Sequence, residues 1–368
     1  MASTRSETQA LEMTMVLRLP QLPALRHVLI ACAIAVLPLK PTHAQDQVKI
    51  NHRSASDRVL LTWACDYFQG TNMAVITTGQ GLVVIDTGLS PSTVRRQRDL
   101  VERLLGRSDF RYLINTHMHN DHAFANEVFP EATVIAPEIG VAALQREVDL
   151  IPELMERLRT NGSSYAEWAA ATSPDSAEGT YAREGVAAFE VGIADLERGI
   201  KPRYPTVTFE DRYTLSLGEV RLELFAFGGL HSDSDILILV PEERMLFTGD
   251  VFWGGQLPML REEMAGGFTR LLDNWKTILE TCPDLETIVP GHSDVPLTVE
   301  GFREMLHYLS RLWDDVKAAR AAGMPQVRFM VQNVFAERYP EVADYSYIRR
   351  DFNLHQHNIY VLWQLAGR

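Results

Sequence analysis

Four side chains that can bind a metal ion lie within six residues of one another. They are His117, His119, Asp121 and His122. The three imidazoles repel one another when they are protonated, and all four side chains need partners when they are buried. A divalent cation meets both requirements. Imidazole nitrogen and carboxylate oxygen suit zinc, with iron or manganese as lesser options. The residue types and their spacing therefore predict a metal site.

The segments on either side of this cluster place it at the end of a strand. Residues 111–114, Arg-Tyr-Leu-Ile, are typical of a short buried strand, and residues 123–128 can begin a helix. Proteins built from strands and helices put their chemistry at the ends of strands, where loops present polar side chains. We therefore expect the cluster to lie at one edge of a sheet.

Three further polar residues follow apolar runs and lie beside glycines: His231, Asp250 and His292. Glycine lets the backbone turn tightly after a strand, so that the next side chain faces inward. Together with the first cluster, this makes seven candidate ligands. That is the number two adjacent zinc ions require if one carboxylate bridges them and a water completes the site.

The His-x-His-x-Asp-His motif after a strand, with the three later residues, resembles the metallo-β-lactamase superfamily over roughly residues 73–293. The resemblance implies an α/β fold, an αβ/βα sandwich of two mixed β-sheets with outer helices. It also implies a ligand assignment. One zinc would be held by His117, His119 and His231, a second by Asp121, His122 and His292, and Asp250 would bridge them.

The same resemblance gives roles to two more residues. Asp86 ends the predicted strand 82–86 and would support the metal motif from behind, with a turn or helix-capping role as the alternative. Trp253 follows Asp250 and would form a wall of the substrate pocket, with a core aromatic as the alternative. Asp121 would orient the attacking hydroxide and pass a proton to the leaving group. The expected enzyme is a zinc-dependent hydrolase with two zinc ions, acting on an ester, lactone, thioester or amide of a small molecule.

Other activities of the superfamily stay open as alternatives. True β-lactamases of the superfamily lack a bridging Asp, so Asp250 disfavours a dedicated β-lactamase. Side activity on β-lactam antibiotics is the first alternative. Glyoxalase II enzymes carry His-Thr-Pro-Gly-His where this chain has His-Ser-Asp-Ser-Asp at 231–235, which disfavours a glutathione thioester as the substrate. A mononuclear iron dioxygenase acting on persulfides would use ligands of the type of His117, His231 and Asp250. A binding module stabilised by zinc is the non-enzymatic alternative.

The charge of the chain restricts its partners. The formal net charge is −13, and no run of lysine or arginine is present. This balance disfavours binding to nucleic acid and to an anionic membrane surface. The composition leaves the oligomeric state open.

Residues 1–44 have the layout of a secretory signal peptide. Arg26 precedes an apolar run, residues 28–39, and Ala44 is a small residue at the expected cleavage site. The run is too short to span a bilayer, so no stable membrane insertion is expected after cleavage. A periplasmic or secreted protein is therefore predicted. The alternative is a lipoprotein attached through Cys32, which ends a Leu-Ile-Ala-Cys sequence.

Strands 73–78 and 82–86 are predicted to form a hairpin with its turn at 79–81, after a segment that is irregular apart from a first strand at 60–63. Residues 91–105 predict an amphipathic helix that Gly106 can end, and 220–225 alternates as a strand does.

The remaining residues, 45–368, are expected to form one domain with two helical additions. The first is an insertion at 141–205, with helices interrupted at 161–164 and 173–176, which either shapes the substrate pocket or packs outside the sheets. The second is a C-terminal region at 298–368, with helices over 299–322, 327–338 and 345–365. Cys65 and Cys282 remain in the mature chain, and the sequence does not show whether they meet.

Overall fold

The computed structural model describes residues 48–64, 70–253, 256–261, 267–292, 297–345, 348–349 and 352–367. The predicted signal peptide, the lipid attachment at Cys32 and the residue Cys65 lie outside the described residues. Cys282 is described and is buried. No helix in the described part of the chain combines the length and the apolar character needed to cross a membrane.

The first sheet contains seven strands in chain order. They are β1 (Ile50–Ser54), β2 (Val59–Ala64), β3 (Met73–Thr78), β4 (Gly81–Ile85), β5 (Phe110–Ile114), β6 (Thr133–Pro137) and β7 (Val207–Phe209). Strands β1 to β4 pair antiparallel, and β4 to β7 pair parallel, so the sheet is mixed. Thr78 pairs with Gly81, which closes the β3–β4 hairpin that the sequence predicts. The segment before β2, expected to be irregular, supplies the edge strand β1.

The second sheet contains six strands in the order β13-β12-β11-β10-β9-β8. They are β8 (Arg212–Ser216), β9 (Arg221–Ala226), β10 (Ile236–Val240), β11 (Met245–Gly249), β12 (Thr287–Pro290) and β13 (Leu297–Thr298). The β11–β12 pair is parallel and the other pairs are antiparallel.

Strand periodicity separates the two faces of each sheet, since successive side chains point to opposite sides. In β4, Val83 and Ile85 join the apolar core that contains residues of both sheets, while Leu82 and Val84 face a second core on the outer side. The same alternation in β10 divides its side chains between the inter-sheet core and the core beneath the C-terminal helices. The structure thus confirms the predicted αβ/βα sandwich.

Helices cover the outer faces. They are α1 (Pro91–Leu105), α2 (Asn120–Ala123), α3 (Gly140–Asp149), α4 (Ile151–Ala171), α5 (Ala177–Arg198), α6 (Gly267–Thr281), α7 (Val299–Ala321), α8 (Gln326–Gln332), α9 (Phe335–Arg338) and α10 (Leu354–Leu365). The bounds of α1 match the prediction: the Ser90 hydroxyl accepts a hydrogen bond from Thr93 N, and Gly106 ends the helix with φ +63°.

The insertion is helical, but one predicted interruption is wrong. Helix α4 runs without a break through residues 161–164, and the break lies instead at Leu150, just before Pro152. Glycine weakens a helix interior by about 1 kcal/mol relative to alanine and serine by less, and packing against α5 can offset this cost. Gly162 serves that packing, because a Cβ there would lie 3.2 Å from Phe189 Cβ. The predicted break at 173–176 is confirmed, with Ser176 capping α5.

Two predicted C-terminal helices are also interrupted. The stretch 327–338 divides into α8 and α9 at Asn333, whose side chain is buried. The stretch 345–365 begins with the short strands β14 (Ile348–Arg349) and β15 (Phe352–Asn353), and α10 starts only after them. Asn353 accepts a hydrogen bond from Gln356 N and so caps α10. Asn333 and Asn353 both use their side chains where a helix is interrupted or begins. The periodicity of apolar residues does not predict such side-chain hydrogen bonds.

Candidate metal centre

The seven predicted ligands all follow strands whose ends meet at one edge of the sandwich. The first cluster follows β5, His231 follows β9, Asp250 follows β11, and His292 follows β12. Backbone hydrogen bonds join these loops. Ile236 N donates to Thr116 O across 2.9 Å, and Gly291 N donates to Gly249 O across 2.9 Å. The loops of both sheets are therefore held together where the ligands converge.

Three histidines form the first group. His119 Nδ1 lies 3.0 Å from His117 Nε2 and 3.0 Å from His231 Nε2. His117 and His231 are buried. The three nitrogens come from two distant parts of the chain and face a common point, so this group could hold a metal ion.

The second group contains Asp121, His122 and His292. His122 Nε2 and His292 Nε2 are 3.3 Å apart, and Asp121 Oδ2 lies 3.4 Å from His292 Nε2. All three side chains are buried. This group could hold a second ion beside the first.

Asp250 lies between the two groups. Its Oδ2 is 3.5 Å from His231 Nε2 in the first group and 3.3 Å from His292 Nε2 in the second. Its Oδ1 is 3.3 Å from His122 Nε2. No other carboxylate among the described candidate ligands contacts histidines of both groups, so the geometry is that of a bridging ligand.

These contacts fit a divalent metal better than a hydrogen-bonded network. A neutral imidazole has one donor and one acceptor nitrogen, and His119 Nδ1 cannot satisfy two facing ring nitrogens at once. Ligands about 2.0–2.1 Å from a tetrahedral zinc lie about 3.3 Å from each other, close to the separations found here. The donor set of imidazole nitrogen and carboxylate oxygen also suits zinc, iron or manganese.

The protonation states follow from burial and from neighbouring charge. Burial, followed by nearby histidines, lowers the pKa of His117 well below its usual value. Burial alone would raise the pKa of Asp121, but His122 and His292 outweigh it and lower this pKa to about 2. Burial opposes a charge on His292, yet Asp250 and Asp121 raise its pKa to about 10. The carboxylates therefore stay ionised, which is the form that binds metals.

Asp86 lies behind the second group, where the sequence places it. Its Oδ1 accepts a hydrogen bond from Thr116 N at 2.8 Å, and its Oδ2 lies 3.0 Å from His122 Nδ1. Since an ionised carboxylate only accepts, His122 donates through Nδ1 and keeps Nε2 available as a ligand. Asp86 directly follows β4 and has φ +55°, a costly conformation for a residue with a side chain.

Asp235 also supports the site, although sequence reasoning gave it no role. Its carboxylate is buried and accepts hydrogen bonds from the backbone of Leu230, His231 and Ser232. These bonds hold the loop that carries His231. The available signal was the aspartate that closes the Ser-Asp-Ser-Asp run directly before the apolar strand β10.

Two glycines let the ligand loops approach one another. A Cβ at Gly249 would lie 2.5 Å from Thr116 Oγ1, and one at Gly291 would overlap Asp250 Oδ1. Gly249 also has φ +51°, which favours glycine. Both positions therefore require glycine for close approach beside a ligand.

A cavity of about 240 Å³ opens beside the ligands. One wall contains Trp253, Met259 and Arg261. The Trp253 ring centroid lies 5.5 Å from that of His292 and 6.2 Å from that of His231. Trp253 thus lies where a pocket wall is predicted, next to both groups of ligands.

The helical insertion also lines the cavity. It contains Glu147 of α3 and the residues Leu150, Glu153, Leu154 and Arg157 at and after the α3–α4 break. Glu147 Oε2 also accepts hydrogen bonds from Asn120 N and Nδ2, at 3.2 and 2.6 Å. The insertion therefore contacts the ligand motif directly as well as lining the cavity.

The large aromatic residues of the insertion lie elsewhere. Phe189 is buried, its ring centroid is 5.2 Å from that of Tyr165, and Trp168 donates a hydrogen bond to Glu178. Both aromatics pack α4 against α5 and are not among the cavity residues. Sequence reasoning missed Glu147, Arg157 and Arg261, since single charged residues carry no distinguishing spacing.

The sequence profile of the Metallo-beta-lactamase superfamily matches residues 66–292, more than half of the chain. The protein belongs to this superfamily. A search of curated protein sequences gave no match.

Solved structures resemble this chain at low sequence identity, and the likeness with a TM-score above 0.5 is one of fold alone. A metallo-beta-lactamase from Pontibacter korlensis is 15% identical, covers 70% of this chain and 98% of its own, and has a TM-score of 0.47. A metallo-beta-lactamase from Erythrobacter litoralis is 12% identical, covers 70% and 95%, and has a TM-score of 0.46. A double mutant of the sec-alkyl sulfatase PisA1 is 18% identical, covers 83% of this chain and 48% of its own, and has a TM-score of 0.57.

Proposed function

We propose that this protein is a dinuclear zinc hydrolase that cleaves an ester, lactone, thioester or amide bond in a small molecule. The observation that carries the proposal is the position of Asp250, which contacts His231 of one ligand group and His292 of the other. A carboxylate between two nitrogen-rich groups is the arrangement that holds two metal ions side by side.

Two bound zinc ions would supply a water of lowered pKa as nucleophile and would polarise the scissile carbonyl. The chain's own residues would do the rest. Asp121 lines the cavity, so its carboxylate is placed to orient the nucleophile and to pass a proton to the leaving group. Trp253, Leu154 and Met259 provide apolar surface that excludes bulk water from the reacting bond.

Metal analysis separates this proposal from a mononuclear iron dioxygenase. Such an enzyme would leave Asp121, His122 and His292 without a ligand role, whereas their convergence supports a second ion. Protein produced without added zinc should contain about two zinc ions per chain by mass spectrometry, as two-metal sites require. A single iron per chain together with oxygen consumption would overturn the proposal. His307→Ala is a suitable control, because its side chain is 60% exposed and outside the cluster.

A substrate panel tests the reaction itself. Lactones, aryl esters, thioesters and β-lactams should be compared with the same zinc-loaded protein. Hydrolysis of one acyl class, lost on chelation and restored by zinc, supports the proposal. Preferential β-lactam turnover would favour the alternative of a class B-like β-lactamase. No turnover in any acyl class would remove the acyl hydrolase from consideration.

A second candidate is the hydrolysis of a sulfate ester. Arg157 and Arg261 line the cavity together with apolar residues, a combination that suits an anion with an apolar chain. The sec-alkyl sulfatase among the structural neighbours suggests secondary alkyl sulfates as the compounds to add to the panel. Release of inorganic sulfate at a rate above every acyl substrate would favour this candidate.

We further propose that the protein acts outside the cytoplasm after cleavage near Ala44, on a small molecule rather than on nucleic acid. Support comes from the signal-like residues 1–44 and the net charge of −13. Intact-mass measurement of exported protein should give a mature N-terminus near Gln45. A retained leader, or a lipid on Cys32, contradicts this.

A further inference from the structure

Residues 256–261, here called the cavity arm, lie in the chain between the ligand Asp250 and helix α6. Met259 and Arg261 of the cavity arm line the cavity, while Leu257 and Leu260 are buried in the core beneath the C-terminal helices. The cavity arm thus presents side chains both to the cavity and to the core, and Met259 contacts both. Its backbone position decides where Met259 and Arg261 stand relative to a bound substrate.

Helix α10 holds this backbone through two side chains. Asn358 is fully buried; its Oδ1 accepts a hydrogen bond from Leu260 N at 3.1 Å, and its Nδ2 donates to Pro258 O at 2.9 Å. His357 Nε2 lies 2.7 Å from Leu260 O. Since a carbonyl oxygen only accepts, His357 carries a proton on Nε2 and donates it.

These bonds enclose the cavity-lining part of the cavity arm. The two Asn358 bonds lie on either side of Met259, and the His357 bond is to the peptide directly before Arg261. Only one orientation of the Asn358 amide satisfies both partners, because Leu260 N donates and Pro258 O accepts. A buried, doubly bonded asparagine fixes a backbone segment far more tightly than apolar contacts alone.

We propose that Asn358 and His357 are positioning residues that set substrate specificity by fixing Met259 and Arg261 in the cavity wall. The proposal rests on the proposed function for its substrate, but its structural part does not. A displacement of about 1 Å in a cavity wall is enough to change substrate selection strongly. The C-terminal region, which contributes no metal ligand, would thereby take part in the reaction.

His355 provides a matched control on the same helix. It is buried and bonds to Tyr308 and Asn333 rather than to the cavity arm, and it is linked to Asn358 through the long 3.5 Å contact between Asn358 Nδ2 and Tyr308 OH. His355→Gln should therefore lower stability without moving the cavity arm. Comparing it with Asn358→Ala separates a positioning effect from general loss of stability.

Hydrogen–deuterium exchange tests the structural part without any activity. In zinc-loaded Asn358→Ala, the peptide covering residues 256–261 should exchange about tenfold faster, since Leu260 N loses its acceptor. The exchange rate of the same peptide should be unchanged in His355→Gln, when each protein is measured at the same interval below its own melting temperature. Zinc content should stay equal to that of the unsubstituted protein in both variants.

Kinetics test the effect on specificity, with 4-nitrophenyl acetate, butyrate and octanoate as probes. The ratio of kcat/KM between octanoate and acetate should change by about fivefold or more in Asn358→Ala, and should stay constant in His355→Gln. The effects of Arg261→Met and Asn358→Ala on this ratio should be non-additive in the double variant. Leu150→Ser, which lies in the helical insertion, should add independently to the effect of Asn358→Ala.

His357 offers a second variant if Asn358→Ala does not fold. His357→Ala removes one donor to the cavity arm, and His357→Gln supplies another that should restore the unsubstituted pattern. Unchanged exchange in residues 256–261, or equal loss with every ester, would overturn the positioning role. If the unsubstituted protein hydrolyses none of the esters, the proposed function fails for them, while the exchange experiment still decides the positioning.

Discussion

Two of the buried clusters of polar side chains in the described part of the protein differ in how their atoms face one another. In the metal centre, ring nitrogen faces ring nitrogen: His119 Nδ1 lies 3.0 Å from both His117 Nε2 and His231 Nε2. In the C-terminal polar network (Tyr308, Asn333, Tyr339, His355 and Asn358), acceptors face donors. Tyr308 OH lies 3.0 Å from His355 Nδ1, and His355 Nε2 lies 3.2 Å from Asn333 Oδ1.

This difference distinguishes a binding site from a structural network. A neutral His355 uses one nitrogen as acceptor and the other as donor, so its environment is complete without a ligand. Burial accordingly lowers the pKa of His355 to about 4 and keeps it neutral. In the first ligand group of the metal centre, burial lowers the pKa of His117, His119 and His231 and keeps these imidazoles neutral. More ring nitrogens face one another there than their own protons can satisfy, and a cation removes that mismatch. Burial and polarity are common to both clusters, and only the matching of donors to acceptors separates them.

The largest effect is expected when the carboxylate between the two ligand groups is removed. Asp250→Ala should lose the second metal ion and reduce kcat/KM by roughly a thousandfold, about 4 kcal/mol in the barrier, because the carboxylate shared by the two groups is gone. Metal analysis and kinetics on the same preparation measure this. Asp233→Ala, which removes a partly exposed carboxylate paired with Arg146, should retain both ions. Two zinc ions and full kcat in Asp250→Ala would show that the bridge is misassigned.

The second-largest effect is expected at Asp86, which holds the ligand His122. Asp86→Asn keeps the size of the side chain and tolerates the positive φ, but it weakens the acceptor for His122 Nδ1. Zinc affinity should fall by roughly 10- to 100-fold, as for other partners of metal-bound histidine. Chelator competition measures the affinity. An unchanged dissociation constant would mean that His122 is oriented by other contacts.

A third prediction concerns the C-terminal polar network. The pKa of His355 is lower in the fold than its usual value near 6.5, so its contribution to stability is complete above about pH 6.5 and is lost as pH falls towards 4. Between pH 7 and pH 5, metal-free protein should lose about 1–2 kcal/mol of unfolding free energy that His355→Gln does not lose.

Urea unfolding at both pH values, with chelator present, measures this difference. His307→Gln is the comparison variant, because it removes a histidine that is 60% exposed and lies outside the C-terminal polar network. If the unsubstituted protein and His355→Gln change in parallel, His355 is not the group responsible.

The smallest effect lies outside both clusters. Leu150 lines the cavity but is 50% exposed, so Leu150→Ser should cost little stability. It should raise KM for a long-chain ester about fivefold, or about 1 kcal/mol of apolar contact, and leave KM for acetate unchanged. Trp168→Leu, in the same insertion but away from the cavity, should affect both esters alike. Equal effects of Leu150→Ser on both esters would restrict the insertion to a packing role.

Sequence periodicity identified most of the sandwich. The alternation at 220–225, which predicts β9, and the amphipathic pattern of 91–105 with Gly106 at its end arise from interactions between near neighbours. It failed where distant packing outweighed local preference. Gly162 looks like a break in the sequence, yet it is the point at which α4 meets Phe189 of α5. Asn333 turns inward to His355 and thereby divides a helix that the pattern predicts to be continuous.

The sequence by itself determined the types and spacing of the metal-binding residues, because a motif such as 117–122 needs only local chain geometry. Only the tertiary structure decided how they meet. His122 and His292 are 170 positions apart and lie 3.3 Å from each other through their ring nitrogens. The cavity walls likewise come from the insertion and from a cavity arm held by α10. Such contacts depend on the closure of long loops and on side-chain packing across layers, which leave no periodic trace along the chain.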